Sequence, residues 1–169
     1  IFYDPIAVRR TFAQFDTAFD AVSDITLTAM ATCQESKEAI PRIVEIPVRF
    51  DTDNNFDLEF VSNSNGLSAA DVVEIFTSTV YRVYMQGFLP GFSYMGEVDE
   101  RIATPRKATP RTHVPAGSVG IAGRQTGIYS LASPGGWQII GRTDVAMFTP
   151  HTDLPCYLQP GDNVSFVAI

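Results

Sequence analysis

Residues 87–143 hold the side chains best suited to chemistry. Two arginines sit in matching tripeptides five positions apart, Thr104-Pro105-Arg106 and Thr109-Pro110-Arg111. Each proline fixes φ just before its guanidinium, so less freedom is lost when a carboxylate or phosphate is gripped. Gln125 and Tyr129 add an amide and a phenol beside the Gly120–Gly127 turn (GIAGRQTG). Ser133-Pro134-Gly135-Gly136 offers backbone N–H donors next to Trp137, while Phe88, Phe92 and Tyr94 supply an aromatic wall. Pro90 and Arg142 complete the candidate binding set. Apolar walls with a few placed polar groups build small-molecule pockets. Aromatics with arginine also build protein–protein hot spots, and residue type alone does not separate the two.

Other constellations fall short. Ala116-Gly117-Ser118-Val119-Gly120 lacks the first glycine of a nucleophile elbow, so Ser118 reads as the start of a strand. GIAGRQTG is neither a GxGxxG fingerprint nor a P-loop. Glu97, Asp99 and Glu100 crowd one turn and do not form an acid–base pair. His113 and His151 have no metal-ligand spacing, and Cys33 and Cys156 lie far apart without a CxxC. Neither a metal site nor a disulfide framework is expected.

The 169 residues carry a net charge of −7, with 45% hydrophobic content. That supports a real core and, without any Lys/Arg run, argues against nucleic acid. Yet Arg101, Arg106, Arg111, Arg124 and Arg142 all fall within residues 87–143, as if presented to an anion. No apolar run approaches the ~18 residues of a membrane span. The chain opens Ile1-Phe2-Tyr3-Asp4-Pro5 without methionine and reads as a fragment, with the cytoplasm as default location.

Several elements must position these groups. Ile1–Tyr3 reads as a strand end, and Asp4-Pro5 as a helix start. Phe12, Phe15, Phe19 and Val22 suggest one apolar helix face, with weaker helical signals to about Ala39. Residues 1–40 then form the C-terminal part of a small α+β domain. From 41 to 169 a second domain follows. Strands are expected at Ile43–Phe50 (with Pro47 marking an edge or bulge), Asp57–Val61, Tyr81–Gln86, Ser118–Ala122, Gly127–Leu131, Trp137–Arg142, Ala146–Phe148 and Val164–Ile169. A polar turn is expected at Asp51–Asn55, and a helix capped by Ser68 with Asp71. Many short strands with one or two helices indicate a mainly β fold, a closed barrel or sandwich.

The motifs GFLPGFSY (Gly87–Tyr94), Pro105-Arg106, Pro110-Arg111, Val114–Tyr129, Ser133–Thr143 and the late Pro160-Gly161-Asp162 resemble one family. Its members are variously named allophanate hydrolase subunit 1, the B subunit of 5-oxoprolinase, and KipI; the domain is of carboxyltransferase subdomain C/D type. The resemblance runs from about Ile43 to the C-terminus. It implies a cyclophilin-like β-barrel and a partner, the C subunit of 5-oxoprolinase (allophanate hydrolase subunit 2). With a third, lactam-utilisation subunit, such proteins open 5-oxoproline to glutamate using ATP. The same resemblance admits a KipI-like inhibitor of a sensor histidine kinase, or an accessory protein to urea-derived amide chemistry. Under the oxoprolinase reading, Arg106 and Arg111 would stabilise charge, and Gln125 and Tyr129 would orient the lactam. The remaining candidates, Phe88, Pro90, Phe92, Tyr94, Ser133, Gly135, Trp137 and Arg142, would bind substrate. One departure is visible: where the family commonly has a histidine, this chain has Phe76 in Ile75-Phe76-Thr77.

Overall fold

The computed structural model describes residues 2–32, 41–50 and 57–169. Two compact units divide the chain, Ile1–Ala39 and Ile40–Ile169.

In the first unit, α1 (Pro5–Thr11) and α2 (Ala18–Thr32) follow one another. Asp4 starts α1 as expected: its Oδ1 accepts the Ile6 and Ala7 N–H groups at 2.8 and 3.3 Å, with Pro5 at the first helical position. The single apolar face from Phe12 to Val22 does not form. The helix stops at Phe12, and a reciprocal Thr17–Asp20 box starts a new one, the two side chains 2.6 Å apart. The new phase buries Ala18 and Ala21 and leaves Phe19 exposed. Phe2 and Tyr3 are not in a strand, and Ile1 lies outside the described residues.

In the second unit, a seven-stranded sheet has the order β1 (Ile43–Val48), β9 (Asn163–Ala168), β2 (Val80–Gln86), β3 (Ser93–Gly96), β6 (Gln125–Ile128), β5 (Ser118–Ala122) and β8 (Gln138–Arg142). The β1–β9 pair is parallel and the others antiparallel. Arg49 and Arg142 then exchange two backbone hydrogen bonds of 2.8 and 2.9 Å, which ties the two edges of the sheet together. The result is the expected barrel. Pro47 sits on the edge strand β1, where its missing N–H is tolerated.

Alternation fills the interior. Val44, Ile46 and Val48, Tyr81 and Val83, Val119 and Ile121, and Val164 and Phe166 are buried in one core. Two helices cover it, α3 (Leu58–Asn65) against β8 and α4 (Ala69–Thr77) against β9. The Ser68–Asp71 capping box is present in both directions. The strand expected at Asp57–Val61 is instead the start of α3. A five-residue alternation fits a helix turn as well, with Leu58, Val61 and Ser62 on the buried side and Gly66 ending the helix at φ 67°. The Asp51–Asn55 turn lies outside the described residues.

Other boundaries shift. Ala146–Phe148 forms only an isolated bridge, Phe148 to Cys156. The strand near Gly127 covers Gln125–Ile128. A separate ribbon pairs β4 (Arg111–Val114) with β7 (Ser133–Gly135). A second small core unites this ribbon with the face of β5 opposite to Val119 and Ile121. It contains Phe92, Val114, Ala122, Tyr129, Trp137 and Ile139.

Candidate functional site

A cleft of about 210 Å³ opens at this second core. Phe88, Phe92, Tyr94, Tyr129 and Trp137 form its walls; Arg106, Pro110 and the end of β7 with Gly136 (Pro134-Gly135-Gly136) form its rim. Phe92 is the hub. Its ring meets Phe88, Tyr94, Tyr129 and Trp137 edge-on, at centroid distances of 5.5, 4.9, 5.4 and 5.4 Å. Each such pair adds about 0.5–1.5 kcal/mol beyond area burial. Phe92 is buried, whereas Phe88 is 59% exposed at the open side.

The glycine–proline punctuation of Gly87–Phe92 produces that presentation. The loop is fastened to itself by Phe92 N–H to Leu89 O (3.0 Å) and Gly87 N–H to Phe92 O (3.2 Å). Phe88 is held at φ 67°, a left-handed conformation costly for a side chain with a Cβ. Gly91, at φ 77°, lies so close to the Met147 carbonyl that a Cβ there would come within 2.7 Å of it.

The polar rim has a definite charge. The Arg106 guanidinium lies 5.7 Å from the centroid of Trp137, and among the described residues it makes no salt bridge. Burial raises the Tyr129 phenol above its ordinary pKa, opposed by the Trp137 main chain and by the charges of Arg106 and Arg111. Tyr129 is therefore a neutral hydroxyl at physiological pH, able to donate or accept.

Arg111 stands behind the rim. Its Nη2 contacts Oδ1 of the buried Asp57 at 2.5 Å, and Lys107 Nζ reaches the same oxygen at 3.0 Å. Lys107 and Arg111 thus share the Asp57 carboxylate behind the rim, and Arg106 is the cation at the cleft itself, which favours an incoming anion.

The structure brings Phe88, Phe92, Tyr94, Arg106, Tyr129, Gly135 and Trp137 together at the cleft. Arg111, Gln125, Pro90, Ser133 and Arg142 are not among its lining residues. Gln125 lies at the start of β6, opposite Gly96 and Ala122, because the strand begins two residues earlier than the pattern suggests. Arg142 sits at the barrel closure, where its backbone pairs with that of Arg49. Pro90 is exposed on the loop, and the Ser133 hydroxyl turns onto its neighbour's carbonyl, Pro134 O, at 3.2 Å. Ser118 is fully buried, His113 is exposed on β4, and among the described residues no three His, Cys, Asp or Glu side chains are placed to hold a metal. Phe76 sits in the barrel core, 4.8 Å from Phe166 and 5.1 Å from Tyr81 by ring centroid, and does not line the cleft. No helix of the described residues is long and apolar enough to cross a membrane. Sequence reasoning missed Asp57 and Lys107. Asp57 lies 50 and 54 positions from its partners, a separation that leaves no local signal.

Residues 3–158 match the family described as "Carboxyltransferase domain, subdomain C and D". The chain is 45% identical to the 5-oxoprolinase B subunit of Bacillus subtilis (strain 168), over 100% of this chain and 71% of that protein. It is 50% identical to the 5-oxoprolinase B subunit of Escherichia coli O157:H7, over 79% of this chain and 61% of that protein. The chain therefore spans between about three fifths and seven tenths of these relatives. A solved structure of a conserved uncharacterized protein from Pyrococcus horikoshii superposes with a TM-score of 0.73 at 48% identity, covering 90% of this chain and 64% of that one. The chain belongs to the carboxyltransferase-domain family, subdomains C and D, among relatives named as the B subunit of 5-oxoprolinase.

Proposed function

We propose that this chain is the barrel portion of a 5-oxoprolinase subunit, and that its aromatic cleft holds the lactam. The observation that carries this reading is Arg106. It is a cation without a salt-bridge partner among the described residues, set over Trp137 at the mouth of an apolar cleft. 5-Oxoproline pairs a small ring with one carboxylate. The ring suits the Phe92–Tyr129–Trp137 walls, and the carboxylate suits Arg106, by a charge-assisted hydrogen bond. Tyr129 would meet the lactam amide from inside.

At about 210 Å³ the cleft is sized for a five-membered ring and not for a nucleoside triphosphate. The nucleotide then belongs elsewhere in an assembly with a second barrel protein, the C subunit of 5-oxoprolinase, and a third, lactam-utilisation subunit. ATP supplies activation of an otherwise inert amide, by transfer of its γ-phosphoryl group to the lactam oxygen with ADP leaving. One water then adds to the activated carbon and the C–N bond breaks, the proton going to nitrogen. A second water releases phosphate from the resulting acyl phosphate, leaving glutamate. This chain's residues bind and orient the ring, exclude bulk water from its apolar side, and stabilise negative charge at Arg106.

The test is to co-express the three full-length subunits and measure ATP-dependent loss of 5-oxoproline. Turnover that needs this protein supports the reading. No turnover, together with inhibition of a cognate histidine kinase by this protein alone, would replace it with a regulatory role.

A further inference from the structure

We propose that Asp57 is a positioning residue for the cleft, acting on Arg106 through the segment that runs from Pro105 to Arg111. The two oxygens of its carboxylate have different duties. Oδ2 accepts the Ile139 N–H at 2.7 Å, while the Asp57 N–H donates to Ile139 O at 2.5 Å, so this side fastens the start of α3 to β8. Oδ1 accepts from Lys107 Nζ and Arg111 Nη2. Those two residues flank the part of the segment that carries Pro110, and Arg106 is the immediate neighbour of Lys107.

Weaker side-chain contacts also touch the segment, Arg111 Nη1 donating to Trp137 O at 3.4 Å and Lys107 Nζ lying 6.0 Å from the Phe60 ring centroid, and its backbone is held as well. Lys107 N–H donates to Gly136 O at 2.7 Å, and Gln138 Nε2 donates to Pro105 O at 2.8 Å. These bonds set where the backbone runs. The charged contact at Oδ1 limits how the side-chain layer behind the rim can move. A cation held on a buried carboxylate loses its freedom to swing toward the cleft, so Arg106 alone meets the ligand.

This division makes a selective substitution available. In Asp57→Asn the amide oxygen can keep the Ile139 N–H, and the amide nitrogen then faces Lys107 and Arg111, donor against donor. The scaffold half of the interaction survives while the loop half is lost. The inference rests on the cleft being the lactam site, so one experiment carries both tests: KM for 5-oxoproline, kcat and melting temperature in the reconstituted full-length enzyme. The variants are Asp57→Asn, Lys107→Met and Arg106→Ala.

Asp57→Asn is expected to raise KM about tenfold with kcat changed less than about threefold, and Lys107→Met to raise KM by about threefold. Arg106→Ala raising KM while Asp57→Asn and Lys107→Met keep the wild-type value would overturn the positioning role and leave the cleft reading intact. A lowered melting temperature with unchanged KM would also overturn it, as a purely structural role. Arg106→Ala with wild-type KM would remove the cleft reading, and this inference with it. If Asp57→Asn does not accumulate as folded protein, Lys107→Met decides, since its side chain is 30% exposed and its loss leaves the Arg111 pair in place.

Discussion

The Tyr129 hydroxyl occupies the space that a side chain at position 135 would need. A Cβ built on Gly135 would overlap that oxygen and lie 2.7 Å from the Cε1 and Cζ atoms of the ring. Gly135, at the end of β7, is therefore a matched partner of the phenol, and the two together shape the cleft where β7 borders it.

Gly135→Ala is accordingly expected to destabilise the barrel unit by about 1–3 kcal/mol, as overpacking does. Tyr129→Phe in the same chain should recover part of that loss by removing the oxygen. Urea unfolding of the two single variants and the double variant measures the coupling, expected at about 0.5–3 kcal/mol. Additive effects would mean that the two residues do not compete for one volume.

Phe76→His is expected to harm the protein. The ring is fully buried against Phe166, Tyr81 and, at 6.2 Å, Phe50, and the Tyr81 hydroxyl donates to the Phe76 carbonyl at 3.0 Å. An imidazole there exchanges apolar packing for an unpaired polar group, a loss of roughly 2–4 kcal/mol. Thermal melting should show it, without any gain in turnover. Higher kcat at an unchanged melting temperature would instead place position 76 in contact with ligand.

The acid limb of stability should depend on Asp162. Burial raises its pKa, but Arg42 hydrogen bonds at 2.5 and 3.1 Å, the Gln159 N–H at 2.7 Å and the Arg42 charge outweigh burial and hold it below the usual carboxylate value. A folded-state pKa below the unfolded one contributes stability that is fully present above about pH 4 and is lost as pH falls through the folded value. Arg42 is 52% exposed, so solvent screening limits the contribution to about 1 kcal/mol. Urea midpoints between pH 3 and 7 should fall more steeply on acidification for the wild type than for Asp162→Asn; parallel curves would contradict this.

Much of this fold is legible in local chemistry. Asp4-Pro5 and Ser68-Asp71 announce helix starts because their side chains bond the adjacent backbone, and both are present as read. Ser118–Ala122 is a strand with the bounds its β-branched run suggests. Elements whose identity depends on distant partners are not legible. Leu58–Asn65 alternates too briefly to separate strand from helix, and it is a helix because Leu58 and Val61 find the barrel core. The β4–β7 ribbon has almost no apolar pattern, since it pairs Arg111 with Gly135 and Val114 with Ser133. At the site, the aromatics and Arg106 are recognisable by composition. The different duties of two similar TPR arginines are not, because an aspartate 54 positions away draws Arg111 behind the rim.

The central claim is that Arg106 receives the carboxylate of a lactam in this cleft, and Arg106→Ala in the reconstituted ATP-dependent enzyme tests it most directly. A charge-assisted hydrogen bond of about 1.5–3 kcal/mol corresponds to a rise in KM for 5-oxoproline of roughly 10- to 150-fold, with the melting temperature unchanged. Wild-type KM and kcat in Arg106→Ala would contradict the account.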